Sequence, residues 1–139
     1  MSRKPPRHAC LNCEQADMHK ENRDVIARVG GLQRTVPDVF GWHCANCGEV
    51  EFLDEAGSAR YDAALQGLAA EAAAIEREAL RAARKRLKLT QRAAAALTGG
   101  GHNAFSRYER GEAKPSAAVV NLFRLLDRHP ELLDEVRAR

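Results

Sequence analysis

The chain has 139 residues, which is enough for one domain or for two small ones. Aromatic residues make up only 5% of it, and the strand-forming residues cluster before residue 54, so we expect helix to dominate the remainder. No apolar run is long enough to cross a membrane, and the first ten residues lack the apolar core of a signal peptide. We therefore expect a cytoplasmic protein that has no membrane partner.

The formal net charge of +3 is unevenly distributed. Residues 1–60 contain 8 Lys and Arg against 9 Asp and Glu, whereas residues 61–139 contain 14 against 10. Because phosphates attract basic surfaces, the second half of the chain is the better candidate for a nucleic-acid interface. At the start of the chain, residues 1–9 are basic and include Pro5-Pro6, so we expect a disordered lead-in there.

Four cysteines form two CxxC pairs, Cys10 with Cys13 and Cys44 with Cys47. Two residues between the cysteines of a pair allow both thiolates to reach one tetrahedral metal ion. Two such pairs supply four ligands and leave no open coordination position for water, so the site is structural and not catalytic. We therefore predict one structural Zn²⁺ per chain, a reducing cellular compartment and no enzymatic activity.

Three alternatives to this zinc site need to be weighed. Iron fits the same four thiolates, but zinc is the usual ion of such a site in a regulatory protein. A redox-active CxxC pair would make the protein an enzyme, but it would leave the second pair unexplained. His43, next to Cys44, is able to replace one thiolate, although His43, His8 and His19 are more typical of surface or strand residues.

The residues between the two cysteine pairs predict a small antiparallel sheet. Residues 25–29 and 32–36 are rich in strand-forming side chains and flank Gly30-Gly31, which is typical of a β-hairpin. A second turn at Pro37-Asp38 then leads to a third strand at residues 39–43. A sheet of this size buries too little surface to be stable alone, so we expect the metal ion to stabilise it.

A long Ala-rich stretch follows the second cysteine pair. We expect a helix to begin near Ala59, and Gly67 places a junction at residues 67–74 between one domain at 1–66 and another at 75–139. Beyond the junction, apolar residues four positions apart predict one buried helix face, and the basic residues predict a solvated face with some phosphate contacts. The apolar series is Ile75, Ala79, Ala83 and Leu87, and the basic residues are Arg77, Arg81, Arg84, Lys85 and Lys88.

Residues 87–111 predict two short helices joined by a glycine turn. Thr90 is a candidate N-cap of the first helix, and three consecutive glycines at 99–101 end it. We expect the second helix at residues 102–110, with Gly111 as the residue that terminates it.

The second of these helices has two different faces at 100° per residue. Its apolar face is suited to packing on the first helix, which is what a helix-turn-helix requires of its recognition helix. On the polar face, Asn is able to pair with adenine and Arg with guanine in the major groove. The alternative is a plain glycine loop in which Asn103 only caps a helix. The apolar face consists of Ala104, Phe105 and Tyr108, and the polar face of Asn103, Ser106, Arg107 and Arg110.

The C-terminal residues are more apolar than one helix on a small domain requires. Ser116 is a candidate N-cap after Lys114-Pro115, and His129-Pro130 predicts a break before the last helix. Some of the apolar side chains belong to the core, and we expect the surplus to form a two-fold homodimer interface. They are Val119, Leu122, Phe123, Leu125 and Leu126, followed by Leu132, Leu133 and Val136.

The stretches TGGGHNAFSRYERGEAKPS and LFRLLDRHPELLDEVR resemble the DNA-binding domain of the MqsA antitoxin family, a branch of the Xre-like helix-turn-helix proteins of bacterial toxin–antitoxin pairs. The two CxxC pairs around a small sheet fit the same family. The resemblance implies an α+β fold, in which a zinc-bound three-stranded antiparallel sheet domain precedes an all-α, five-helix Xre-like domain. It also implies base contacts by Asn103 and Arg107, toxin binding by the zinc domain and dimerisation by the helical domain.

We therefore expect an antitoxin of a type II system that neutralises a ribonuclease (mRNA interferase) toxin and represses its own operon at a palindromic operator. Such a protein would be cytoplasmic in a bacterium and associated with the nucleoid when bound to DNA. The alternative is a stand-alone, zinc-containing Xre-like repressor without a toxin partner. The expected phosphate contacts are Gln91, Arg92, Ser106 and Arg110. Candidate toxin contacts that equally suit the sheet's own core are Val25, Val29, Phe40 and Trp42.

Overall fold

The computed structural model describes residues 7–138, so residues 1–6 of the expected lead-in lie outside the described part of the chain. The described residues form a three-stranded antiparallel sheet followed by five α-helices, which confirms the predicted α+β fold class. The strands are β1 (Met18–Val29), β2 (Leu32–Cys44) and β3 (Val50–Phe52). The helices are α1 (Glu55–Arg86), α2 (Gln91–Leu97), α3 (Ala104–Glu109), α4 (Ala117–Arg128) and α5 (Leu133–Arg137), with a 3₁₀ turn at Pro130–Leu132 before the last one.

The chain divides into two compact units between Ala70 and Glu71. Helix α1 contains this division, so the junction expected at residues 67–74 lies within a helix. Helix α1 also begins earlier than Ala59, because the side chain of Asp54 accepts a hydrogen bond from the backbone N–H of Gly57 at 3.0 Å and so satisfies a donor of its first turn. The functional division into domains at 1–66 and 75–139 remains a prediction.

The predicted hairpin is confirmed, with Gly30 at φ +58° in its turn. The predicted third strand is wrong, because residues 39–43 belong to β2, which continues through Pro37-Asp38. The pairing with β1 shifts register between Arg23 and Val25, and at this bulge the backbone N–H of Asp38 donates to Asp24. The strand therefore continues where the sequence predicts a turn, and the third strand is β3, which follows the second cysteine pair.

The core of the first unit lies between one face of the sheet and the beginning of α1. The buried sheet residues alternate along each strand, as expected for a sheet that is covered on one side. Leu68 of α1 is only 2% exposed and contributes the largest side chain of this core. The buried residues are Val25, Ala27, Val36 and Val39 from the sheet and Ala64 and Leu68 from the helix.

The core of the second unit forms around the end of α1. The predicted helix face is wrong in its first half, because Ile75 is 54% exposed and Ala79 is also exposed. A series with steps of four residues drifts by about 40° per step, so it leaves the buried face that Leu80 occupies. The buried residues are Leu80, Ala83 and Leu87 of α1, with Leu89, Ala94, Ala95, Phe105, Phe123, Leu126 and Leu133.

Both predicted N-caps are confirmed. The hydroxyl of Thr90 accepts from the backbone N–H of Ala93 at 3.0 Å, and that of Ser116 accepts from Val119 at 3.3 Å. Helix α3 begins at Ala104 and is therefore shorter than expected. Asn103 is the N-cap residue of this helix, as the alternative interpretation expects, but its side chain forms no capping hydrogen bond.

Candidate metal centre and nucleic-acid interface

The four cysteine sulfurs converge at one point, as the spacing predicts. They come from two knuckles, one before β1 and one that begins at the last residue of β2, and all four Sγ atoms lie within 4.8 Å of one another. The Sγ atoms of Cys10 and Cys47 are 3.6 Å apart, and those of Cys13 and Cys44 are 3.7 Å apart. Gly48 follows the second knuckle at φ +78°, a backbone conformation that suits glycine.

These distances fit a tetrahedral metal ion. An ion with metal–sulfur bonds of about 2.3 Å separates its sulfurs by about 3.8 Å. The pKa of Cys13 is lowered to about 6, chiefly because the Asn46 side chain hydrogen-bonds its thiolate. The pKa of Cys10 is raised to about 11: a backbone hydrogen bond at Cys13 lowers it, but burial and the neighbouring sulfurs outweigh that effect. A divalent cation would hold all four groups as thiolates, so the donor set is that of a metal site.

The nearby histidines belong to other interactions. His43 is buried, and its Nε2 lies 3.0 Å from the backbone oxygen of Val39, so its side chain interacts with the backbone of β2. His8 stacks on Trp42 with ring centroids 4.3 Å apart, and its Nε2 lies 2.8 Å from a carboxylate oxygen of Glu51. Within residues 7–138, the cluster that is able to hold a metal ion consists of the four cysteines alone.

The four sheet residues considered as toxin contacts have different surroundings. Val25 is 8% exposed and belongs to the core, and Val29 packs against that core. Phe40 is half-buried, with Lys20 Nζ 5.6 Å from its ring centroid, and Trp42 packs beside the cysteines. Ile26, which the sequence reasoning did not single out, is 40% exposed. Val25 is therefore a core residue, which was the alternative to its role as a toxin contact.

In the second unit, α3 packs with its apolar face on the core and has its predicted polar face at the surface. Phe105 is fully buried, with its ring centroid 4.9 Å from that of Phe123. Two steps along the helix, Arg107 lies on the opposite side and is exposed. Of the other predicted contacts, Arg92, Asn103 and Arg110 are exposed, and Gln91 and Ser106 are half-buried.

Three of the predicted phosphate contacts have partners within the protein. Arg110 forms two hydrogen bonds to the carboxylate of Glu112, at 2.7 and 2.9 Å, and a third to Ser106 Oγ at 2.5 Å. The hydrogen bonds between Arg110 and Glu112 raise the pKa of Arg110 and lower the pKa of Glu112. The side chain of Gln91 donates to Glu109 at 2.7 Å.

The sequence pattern indicates neither the role of Glu109 nor the burial of Arg84. Arg84 was expected on the solvated basic face, but it is buried and donates two hydrogen bonds to the Glu109 carboxylate, at 2.5 and 3.2 Å. The one feature of the sequence that could have indicated an ion pair at Glu109 is that this acidic residue lies within a basic segment. Of the other basic residues of α1, Arg81 and Lys85 are exposed, and Arg77 is half-buried with its guanidinium beside Gly111.

No helix among residues 7–138 is both long and apolar enough to cross a membrane. Comparison with known proteins gives two matches. The sequence profile of the family described as "Antitoxin component of bacterial toxin-antitoxin system, MqsA" matches residues 8–137. Antitoxin MqsA of Escherichia coli (strain K12) is 35% identical to this chain over 130 residues, which cover 92% of this chain and 98% of that protein. The chain therefore belongs to the MqsA family, the antitoxin components of bacterial toxin–antitoxin systems.

Proposed function

We propose that this antitoxin neutralises a ribonuclease toxin through its first unit and represses its own operon through its second. The observation that carries the second half is the division of α3 into a buried side at Phe105 and an exposed side at Asn103 and Arg107. A helix that is packed on one side and polar on the other is suited to lie in the major groove. The protein would act in the cytoplasm, on the nucleoid when DNA is bound, and without enzymatic activity of its own.

In this proposal, Asn103 reads an adenine and Arg107 reads a guanine, since these side chains match the paired donors and acceptors of those bases. The phosphate contacts are the same four residues expected from the sequence. Two of them, Ser106 and Arg110, are already joined by a hydrogen bond, so they would approach the backbone together. The other two are Gln91 and Arg92.

We propose zinc as the ion of the cysteine cluster, one per chain. The four thiolates leave no position for a water molecule, so the ion would stabilise the sheet and would not take part in a reaction. Its contribution to folding supports the small sheet, which alone buries too little apolar surface to be stable.

We propose a homodimer through the helical unit. Leu125 on α4 is 50% exposed, and Leu122 on the same helix is half-buried. A two-fold axis would present two copies of α3 to the half-sites of a palindromic operator, about 34 Å apart. Apolar side chains that remain exposed on α4 support such an interface.

Substitution of Arg107 by Ala tests the base-reading role. We expect it to weaken operator binding by about 1–3 kcal/mol and to relax specificity at one base position. Arg110→Ala is the control, because loss of a phosphate contact weakens binding to every sequence alike. The measurement is a titration of operator duplexes that carry each base at each position. Equal weakening on all duplexes by Arg107→Ala would contradict base reading.

Co-expression with the product of the neighbouring reading frame tests the toxin half of the proposal. We expect that product, expressed alone, to inhibit growth, and we expect co-expression of this antitoxin to restore growth. The product should also co-purify with residues 1–70. A stable antitoxin that represses its promoter but binds no such product would support the stand-alone repressor instead.

A further inference from the structure

A buried ion pair joins α3 to the rest of the helical unit. The side chain of Arg84 is 11% exposed and that of Glu109 is 7% exposed. Besides its two hydrogen bonds to Glu109, Arg84 donates through Nη1 to the backbone oxygen of Leu89 at 2.7 Å. Gln91 donates to the same carboxylate. The carboxylate of α3 therefore binds the end of α1 and the first residue of α2, while the Arg84 guanidinium also binds the segment between these two helices.

The position of Glu109 along α3 gives this cluster a geometric role. Helix α3 has only six residues, too few to keep its orientation through its own hydrogen bonds. Phe105 and Glu109 are four residues apart and therefore lie on the same side of the helix, opposite Arg107. The apolar contacts of Phe105 hold α3 at one point, and the hydrogen bonds of Glu109 provide a second, directional one.

On these grounds we infer that Glu109 is a positioning residue that sets the rotation of α3 and so aims Asn103 and Arg107 at the bases. This inference depends on the proposed entry of α3 into the major groove. A buried ion pair is a poor means of adding stability, because the cost of removing two charges from water offsets their attraction. Its directional hydrogen bonds, which an apolar pair lacks, account better for its place on the packed side of α3, opposite the exposed face.

The test is a double substitution, Arg84→Met with Glu109→Leu. It removes both charges together, so the net charge is unchanged and no unpaired charge stays buried. The matched control is Arg86→Gln with Asp127→Asn, because Arg86 forms a similar two-bond pair at 2.7 and 2.8 Å that joins α1 to α4 and includes no residue of α3. Both variants keep the net charge of the wild-type protein and therefore its long-range attraction to DNA.

Affinity is measured for two duplexes, one spanning the region directly upstream of the protein's own reading frame and one with the same bases scrambled, and the melting temperature is measured alongside. We expect the Arg84→Met/Glu109→Leu variant to melt near the wild-type temperature yet to lose about tenfold in the ratio of the two affinities, the scale of one lost base contact. The control variant should keep both the wild-type melting temperature and the wild-type ratio of affinities. A folded double variant that keeps the wild-type ratio would overturn the inference.

Gln91→Leu keeps the inference testable if the double variant does not fold. It removes one hydrogen bond from Glu109, and a lost phosphate contact at Gln91 would weaken both duplexes equally, so the ratio isolates the effect on α3. We expect a smaller fall in the same ratio, and an unchanged ratio would count against positioning. A wild-type protein that binds the two duplexes equally would instead reject the proposed function itself.

Discussion

Cys10 and Leu11 are neighbours in the first knuckle but have opposite environments. Cys10 is fully buried among the other sulfurs, whereas Leu11 is 86% exposed. We expect Cys10→Ser to reduce bound zinc from about one ion per chain to nearly none, because a serine hydroxyl is a poor ligand for this ion. Leu11→Ser should keep full occupancy. Metal analysis after gel filtration measures both, and equal zinc content in the two variants would contradict a four-cysteine site.

Gly41 lies at the point where β2 pairs with β3. A Cβ atom at this position would overlap the backbone oxygen of Glu51, which cannot move without disturbing the pairing. We expect Gly41→Ala to destabilise the first unit by about 1–3 kcal/mol, as measured by urea unfolding monitored through Trp42 fluorescence. Gly31→Ala is the control, since a Cβ there meets nothing within 4 Å, and a similar loss in both would contradict the clash.

At the scale of the helices, the start of α2 depends on the Thr90 hydroxyl. Thr90→Ala should lower the stability of the helical unit by about 1 kcal/mol, because the N–H of Ala93 loses its acceptor. Thr90→Ser keeps a hydroxyl and should stay close to wild type. Thermal unfolding measured by circular dichroism compares the three proteins, and equal losses for Ala and Ser would show that the methyl group matters instead.

The attachment of α3 should weaken in acid. Burial tends to raise the pKa of Glu109, but hydrogen bonds from Arg84 and Gln91 outweigh it and leave the pKa below the ordinary 4.5. A carboxyl group whose pKa is lowered by folding stabilises the fold above its unfolded pKa, and that contribution disappears as the pH falls through the folded value.

Hydrogen exchange of the α3 amides, corrected for the intrinsic effect of pH, measures this dependence. We expect protection to decrease below about pH 4.5 in the wild type and to change less in the Arg84→Met/Glu109→Leu variant, which has no carboxylate to protonate. The same decrease in both proteins would assign the effect to other groups.

Local patterns in the sequence predict some of these elements and not others. The hairpin and the two N-caps follow from residues close together in the chain, where turn geometry decides the outcome. The two CxxC pairs are distant in the chain, but their convergence was predictable because each pair supplies only half of the ligands of a tetrahedral ion. The path of β2 through Pro37-Asp38 does not, because it depends on partners elsewhere: Asp24 across the bulge and Arg60 of α1, which donates to the backbone oxygens of both residues.

The buried ion pair shows the same limit at the candidate interface. Arg84 and Glu109 are 25 residues apart, and each lies in a segment whose charges otherwise face solvent. Along α1, Arg84 lies one turn from the buried Leu80 and Leu87, at the border between the buried face and the basic face, so periodicity alone does not decide its environment. Only the packing of α3 against α1 brings the two together, and that packing is a tertiary property. The exposure of Asn103 and Arg107 was predictable because it follows from helical periodicity alone.

At the scale of the whole molecule, the hydrophobic clusters that the two units form within residues 7–138 share no residue. We therefore expect removal of the metal by a chelator to unfold the sheet, with a red shift of Trp42 fluorescence, while amides around Phe105 and Phe123 keep their protection from hydrogen exchange. Return of zinc should restore the fluorescence. Simultaneous loss of protection in both units would show that they unfold as one.

The ion pair between Arg110 and Glu112 also affects how DNA binding by the whole protein would respond to ionic strength. In the free protein, the Arg110 guanidinium is already paired with an anion, the Glu112 carboxylate, through two hydrogen bonds. In the proposed complex, a phosphate would replace the Glu112 carboxylate as the partner of the Arg110 guanidinium, and Glu112 would be left facing the polyanion. The net gain from releasing condensed cations is then smaller than a tally of basic side chains on α3 suggests. An operator complex of this antitoxin would accordingly tolerate added salt better than its arginine content implies.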